Sequence, residues 1–119
     1  MKTFEINSFF GGSYTCCLEL GEYQDNRHIA VQVWDVEDGP YATLTVNLPE
    51  TRRHPQNFAF LDTNNFPGGP DLVEQLGIGR DTGKYSWSGY CAYPLYELFP
   101  EKIREFCGND ESEEEDTAE

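Results

Sequence analysis

The sequence predicts an α+β domain built on an antiparallel sheet of four to six strands, with a short helix and a C-terminal helix packed on it. Three observations predict this class. Strand-like runs fill the first half, turn-forming residues separate these runs, and helical patterns begin only after residue 70. At 119 residues the chain has the size of one domain, which we place at residues 1–107.

The strands of the first half are predicted from alternating apolar and polar residues. Residues 2–10 alternate loosely, and residues 13–20 (SYTCCLEL) are rich in β-branched, aromatic and thiol side chains. The clearest strand is HIAVQVWDV at residues 28–36, and the turn sequence EDGP leads from it to YATLTVNL at residues 41–48. We expect these last two runs to form an antiparallel hairpin within a four-segment meander.

The middle of the chain mixes short elements. Residues 49–56 (PETRRHPQ) predict a polar, basic loop, and residues 58–61 (FAFL) predict a short strand. Residues 71–76 (DLVEQL) follow a proline and end at Gly77, which predicts a short helix with a glycine at its C-terminal end.

The elements nearest the C-terminus are predicted from glycine, proline and aromatic positions. We expect residues 79–83 (GRDTG) to form a loop, and residues 85–93 to form a bulged strand or an irregular loop. Residues 95–106 (LYELFPEKIREF) predict a helix whose second half begins at Pro100.

Charge bears most directly on function. The chain has 22 acidic and 8 basic residues, and its net charge of −14 divides equally between residues 1–100 and residues 101–119. Nucleic acid and anionic membrane surfaces repel such a chain, so a partner selected by electrostatics is a basic protein surface. Residues 108–119 (GNDESEEEDTAE) predict a disordered acidic tail.

Candidate partner-binding residues follow from this charge. Carboxylates near the predicted strand ends and turns can be displayed rigidly, and Trp and Tyr are favoured at interface hot spots. The acidic set comprises Glu19, Glu22, Asp25, Asp35, Glu37 and Asp38, and the aromatic candidates are Trp87 and Tyr90.

The run DTNNFPGG raises a choice between a turn and an active site. Asp and Asn bond to nearby backbone and tolerate turn conformations, so we interpret Asp62, Asn64 and Asn65 as a structural turn. The alternative is a small enzyme, or an accessory subunit, in which Asp62 acts with His54 or Asp81.

Metal and cofactor chemistry find no support in the residue spacing. The four cysteines, Cys16, Cys17, Cys91 and Cys107, lack a CxxC pair, and the two histidines do not complete a zinc pattern. We expect reduced, partly buried thiols, no metal and no cofactor. The glycine-rich stretches lack the lysine of a phosphate-binding loop. No apolar run approaches the length of a membrane span and no secretory signal is visible, so we expect a cytoplasmic protein.

Three motifs suggest a family. The stretches TLTVNL at residues 43–48, FLDTNN at residues 60–65 and SGYCAYP at residues 88–94 resemble a small uncharacterised domain family of gut and mobile-element bacterial proteins. The resemblance covers residues 13–100 and leaves the tail outside. It implies a compact domain that is often encoded among plasmid or phage genes, and it implies no catalytic residue.

These features lead to a functional hypothesis. We expect a non-enzymatic, acidic interaction protein that binds a basic surface. In its sharper form this hypothesis makes the chain a DNA mimic, because carboxylates spaced like phosphates compete for the Lys and Arg residues of a nucleic-acid site. The resemblance implies the context of such a mimic, an anti-CRISPR or anti-restriction inhibitor of a nucleic-acid-binding host-defence protein.

Overall fold

The α+β class is confirmed by the structure, a computed structural model that describes residues 2–7 and 11–107. Its strands form two four-stranded antiparallel sheets rather than one sheet. Two α-helices and a 3-10 helix complete the described part of the chain. The domain limits that we predict, and the predicted disorder of residues 108–119, remain predictions because the tail lies outside the described residues.

The first sheet is the predicted meander, with strand order β1-β2-β3-β4. Its strands are β1 (Phe4–Asn7), β2 (Ser13–Glu22), β3 (Ile29–Asp35) and β4 (Gly39–Thr43). Alternation follows the sequence pattern, because Val31 and Val33 are buried while Gln32 between them is exposed. Leu18 of β2 lies opposite Val33, so the buried sides of both strands face the same core.

The second sheet has the order β5-β6-β8-β7, which places β8 between β6 and β7. Its strands are β5 (Thr45–Val46), β6 (Phe58–Leu61), β7 (Gly79–Ser88) and β8 (Cys91–Leu98). The prediction of a strand at residues 58–61 is confirmed. The aromatic run at residues 85–93 forms the end of a β7–β8 hairpin that turns at Gly89 and Tyr90.

One predicted strand is divided between the two sheets. Residues 41–48 leave the first sheet after Thr43, and the next two strand residues belong to the second sheet. Leu44 connects them, because its N–H donates to the Val31 carbonyl and its own carbonyl accepts the Asp62 N–H, both at 2.9 Å. The prediction of one continuous hairpin strand is therefore wrong beyond Thr43.

The predicted loop at residues 79–83 is also wrong, since these residues begin β7. The pairing with β8 shifts between Asp81 and Lys84, which marks a β-bulge. Gly83 has φ 81°, a backbone conformation that glycine adopts without strain. Thr82 donates its hydroxyl to the Leu95 carbonyl at 2.8 Å and so holds the bulge against the neighbouring strand.

The helices agree with the sequence in part. Helix α1 (Gly69–Leu76) ends at Gly77, whose φ of 70° gives the left-handed cap that the sequence predicts. Helix α2 (Pro100–Arg104) starts at the predicted proline, but residues 95–98 belong to β8 and the longer helix is wrong. A 3-10 helix, Pro49–Arg53, occupies part of the predicted basic loop.

The main hydrophobic core joins both sheets and both helices. Its members from these elements include Leu18, Val31, Val33, Ala59, Leu61, Val73, Leu98 and Ile103. A smaller cluster of Leu48, Phe60, Tyr93 and Leu95 lies on the opposite face of the second sheet. The second sheet therefore packs against apolar side chains on both faces near β6. Its β7–β8 hairpin begins in this packed region.

Candidate interaction surface

The structure does not gather the acidic set at one place. Glu22 and Asp25 lie at the end of the first sheet where β2 turns into β3, whereas Asp35, Glu37 and Asp38 lie where β3 turns into β4. These two ends are separated by the length of β3, which is roughly 20 Å at about 3.3 Å per residue. Two groups of carboxylates, rather than one row, result from this arrangement.

Several carboxylates of the acidic set have partners within the chain. Glu19 accepts a hydrogen bond from Trp34 Nε1 at 2.9 Å, and Asp25 accepts one from the Asn47 side-chain amide at 3.0 Å. Glu22 lies 3.8 Å from Arg27. These contacts give three members of the set a local role in joining neighbouring strands and turns.

Asp35 has a different environment from the rest of the acidic set. It is buried, and its carboxylate accepts the backbone N–H groups of Glu37 at 2.9 Å and Asp38 at 3.4 Å. This geometry closes the β3–β4 turn. It also places a negative charge near Cys16, where burial first and Asp35 second raise the pKa of the thiol to about 11.

The two aromatic candidates lie on the β7–β8 hairpin and are strongly exposed. The exposed fraction of Trp87 is 68%, Tyr90 at the turn is fully exposed, and Tyr85 has 62% of its surface exposed. Tyr85 and Trp87 lie opposite Pro94 and Ala92, so they share one face of the hairpin. Three large aromatic side chains are therefore exposed to solvent on the β7–β8 hairpin.

Acidic residues from two elements lie near the base of this aromatic face. Asp81 lies directly opposite Tyr96 on the same face of the hairpin, and helix α1, which packs against β7, carries Asp71 and Glu74 on exposed positions. The pKa of the Tyr96 hydroxyl is raised by burial, and further by the negative charges of these three residues. We call this group the hairpin surface, and its members are Asp71, Glu74, Asp81, Tyr85, Trp87 and Tyr90.

The sequence predicts only part of the hairpin surface. It gives Trp87 and Tyr90 as candidates and does not assign the three carboxylates to partner binding. Asp71 and Glu74 lie near Asp81 only because α1 packs against β7, and the spacing of these residues in the sequence does not predict that contact. A usable signal was present in the alternation of Tyr85 and Trp87, which indicates one strand face with two large aromatics.

The DTNN segment forms a compact hydrogen-bonded turn. Asp62 is buried, and its carboxylate accepts the Asn65 backbone N–H at 3.2 Å and the Asn65 side-chain amide at 3.0 Å. Asn64 is exposed at the centre of this turn. Both carboxylate oxygens of Asp62 are thus engaged with the residue three positions further on.

His54, the other residue of the enzymatic alternative, lies against aromatic rings. Its imidazole is stacked on Phe58 and meets Phe60 edge-on, with centroid distances of 6.3 and 6.1 Å. Burial lowers the pKa of His54, and the nearby Lys84 is the next cause. Among the hydrogen bonds and ion pairs of residues 2–7 and 11–107, none joins His54 to Asp62.

Within the described residues, no three His, Cys, Asp or Glu side chains form a group that could hold a metal ion. None of the helices in the same part of the chain is long and apolar enough to cross a membrane.

The fold and the hairpin surface define a class, a small acidic α+β domain with two antiparallel sheets and an exposed aromatic hairpin. The chain belongs to the family described as a domain of unknown function, DUF4313, whose model matches residues 17–116. This match extends past residue 100, where the motif resemblance ended, and includes most of the acidic tail. No curated protein and no solved structure matches the chain.

Proposed function

We propose that this chain is a non-catalytic interaction protein that binds a basic surface of another protein through the hairpin surface. The observation that carries the proposal is the exposure of three large aromatic side chains on one hairpin, with Asp81 on the same strand face as Tyr85 and Trp87 and with Asp71 and Glu74 on the helix that packs against β7. Exposed apolar patches on folded domains mark interaction sites, and Trp and Tyr supply much of the binding energy at interfaces.

The chemistry of the hairpin surface favours Lys and Arg as partner groups. A cation over the face of Trp or Tyr gains about 0.5–2 kcal/mol, depending on its desolvation. The neighbouring carboxylates add attraction and reject acidic partners, so they contribute to selectivity as well as to association rate. Net charge acts in the same direction, because a chain with a net charge of −14 attracts basic proteins over long distances.

In the sharper form of the proposal, the partner is a nucleic-acid-binding protein of host defence, and binding blocks its nucleic-acid site. The support is the excess of 22 acidic over 8 basic residues, together with the resemblance to domains encoded on mobile elements. A cytoplasmic location belongs to the same proposal, since such a target acts there.

The test is affinity capture from a bacterial lysate with full-length bait, followed by measurement of the affinity for the captured protein. Trp87→Ala is expected to weaken binding at least about tenfold, which corresponds to about 1.4 kcal/mol. Val36→Ala is the matched control, because Val36 is an exposed apolar residue on the first sheet's β3–β4 turn and its loss should leave the affinity unchanged.

Two charge-matched variants decide which carboxylates bind the partner. The first, Asp71→Asn/Glu74→Gln/Asp81→Asn, neutralises the hairpin surface, and the second, Glu22→Gln/Glu37→Gln/Asp38→Asn, neutralises part of the acidic set. We expect only the first to weaken binding. Loss with the second variant alone would move the interface to the first sheet, and unchanged binding with both would refute a charge-selected partner.

A competition experiment addresses the sharper form. Double-stranded DNA added to the complex should displace the chain if both occupy the same basic site on the partner. A complex that forms on the hairpin surface and resists competing DNA would retain the general proposal and refute the DNA-mimic form.

A further inference from the structure

We propose that an open cleft beside β2 is a binding site for carboxylate-rich segments, and that its occupant is this chain's own acidic C-terminal segment. The cleft has a volume of about 390 Å³. Leu20, Glu22 and Ile29 line it from the first sheet, and Pro100 and Arg104 line it from helix α2. We call it the β2 cleft.

The β2 cleft is basic although the chain as a whole is strongly acidic. Arg27 and Arg104 both line it, and Lys102 lines a contiguous cleft of about 530 Å³ that shares Asn57, Pro100 and Arg104 with it. Only Glu22 and Glu101 oppose these charges among the lining residues. Three of the chain's 8 basic residues and two of its acidic residues therefore line the two clefts. Their net charge is +1, with Glu22 lying 3.8 Å from Arg27, and an anion is the ligand that this charge attracts.

The backbone of Arg27 is held in a conformation that its side chain does not favour. Its φ of 61° lies in the left-handed region, where glycine or asparagine is far more common than arginine. The turn that contains it is closed by the Arg27 N–H, which donates to the Tyr23 carbonyl at 2.8 Å. Strain of this kind occurs where a side chain has a role that a better turn former would not supply.

The edge of β2 along the cleft can accept another strand. The pairing of β1 with β2 ends at Cys16, and the Leu18 N–H donates instead to the Phe106 carbonyl at 2.7 Å. Amides two residues apart on a strand point the same way, so the N–H groups of Leu20 and Glu22 point away from β3 and along the same edge.

The chain runs parallel to β2 at its last described residue. Cys107 forms a parallel bridge with Leu18, two residues before Leu20, which lines the β2 cleft. A segment that follows Cys107 is therefore tethered beside the edge of β2 that carries the Leu20 and Glu22 N–H groups.

Charge and tethering both favour this occupant over an acidic segment of another protein. Residues 110–116 contain six carboxylates in seven positions, and they begin three residues after Cys107. A tethered segment acts at an effective concentration of the order of millimolar, which a free acidic peptide rarely reaches. The inference concerns a different surface from the hairpin surface and does not depend on the function proposed above.

Amide hydrogen exchange followed by NMR on the full-length, isotope-labelled chain tests the proposal. If the segment pairs with β2, the Leu20 and Glu22 amides are protected in the wild-type chain. Neutralising the segment with Asp110→Asn/Glu111→Gln/Glu113→Gln, or the cleft with Arg27→Gly/Arg104→Gln, should speed their exchange at least tenfold. The Leu18 amide, bonded to Phe106, is the internal reference for global stability.

Matched controls separate this effect from a change in total charge or in folding. Arg52→Gln/Arg53→Gln removes the same two charges from the 3-10 helix and should leave both amides protected. Glycine suits the left-handed conformation at position 27, so Arg27→Gly alone should not lower the melting temperature. Rapid exchange of Leu20 and Glu22 in the wild-type chain would overturn the proposal, and so would protection that neither charge variant reduces.

Discussion

Gly79 shows how a single missing methyl group can set the distance between two elements. A Cβ placed on this residue would lie 2.8 Å from the Glu97 carbonyl oxygen, 2.7 Å from Leu98 Cδ2 and 3.1 Å from Val73 Cγ1. The close approach of β7 to β8 and to helix α1 therefore requires glycine here. The backbone oxygen is the decisive neighbour, because a strand in a paired sheet cannot move away as a side chain can.

We predict that Gly79→Ala lowers the free energy of unfolding by about 1–3 kcal/mol, the range for overpacking in a well-packed core. Gly21→Ala is the control, because Gly21 also lies in a strand but no atom lies within 4 Å of its added Cβ. Urea unfolding of the two variants measures the difference. Equal stability of the two would show that β7 shifts freely on its neighbours.

At the scale of elements, Thr45 joins the two sheets through one hydroxyl group. Its side chain accepts the Val31 N–H at 3.1 Å and bonds the Tyr23 hydroxyl at 2.8 Å, and only 1% of its surface is exposed. Thr45 at the start of β5 thus supplies the hydrogen-bond acceptor for the Val31 N–H of β3, because β4 ends at Thr43. Burial raises the pKa of the Tyr23 hydroxyl above its ordinary value.

We predict that Thr45→Val destabilises the fold by about 1–3 kcal/mol although it retains the size and β-branching of the side chain. The cause is the buried Val31 N–H, which loses its acceptor. Thr43→Val is the control, since Thr43 is exposed on β4. Thermal and urea unfolding measure both variants, and a neutral Thr45→Val would indicate that Val31 finds another acceptor.

An element of this fold could be predicted when its local sequence determines its structure, and could not when pairing with distant strands determines it. The alternation in β3 comes from one buried face, and the local sequence is enough to reveal it. Residues 95–98 carry an apolar pattern compatible with helix or strand, and only pairing with β6 and β7 on both sides makes them a strand. Residues 79–83 are likewise predicted as a loop because their local sequence does not reveal that they pair with β8.

The candidate site divides in the same way. Trp87 and Tyr90 are candidates by residue type, because Trp and Tyr are favoured at interface hot spots. The sequence leaves packing in the core as the alternative for them, and their exposure is known only from the structure. The acidic set is predicted from proximity to strand ends and turns, but Asp35, the carboxylate that closes the β3–β4 turn, is buried in that turn. The carboxylates near Tyr96 depend on packing between α1 and β7, which no local pattern contains.

At the scale of the whole molecule, repulsion among the excess carboxylates opposes compactness of the folded chain. With 22 acidic and 8 basic residues the chain has a net charge of −14, which destabilises the compact state through repulsion, and added salt reduces this repulsion. The same salt weakens attraction between the chain and a basic partner. Salt should therefore act with opposite sign on folding and on binding.

We predict that raising sodium chloride from about 20 to about 300 mM increases the melting temperature by a few degrees, since about 1 kcal/mol corresponds to roughly 4–8 °C in a domain of this size. The affinity for a captured basic partner should fall over the same range. The variant Asp110→Asn/Glu111→Gln/Glu113→Gln, with three fewer negative charges, should show a smaller rise. Salt that lowers the melting temperature would mean that favourable ion pairs outweigh repulsion, and binding insensitive to salt would mean that the aromatic contacts act without the carboxylates.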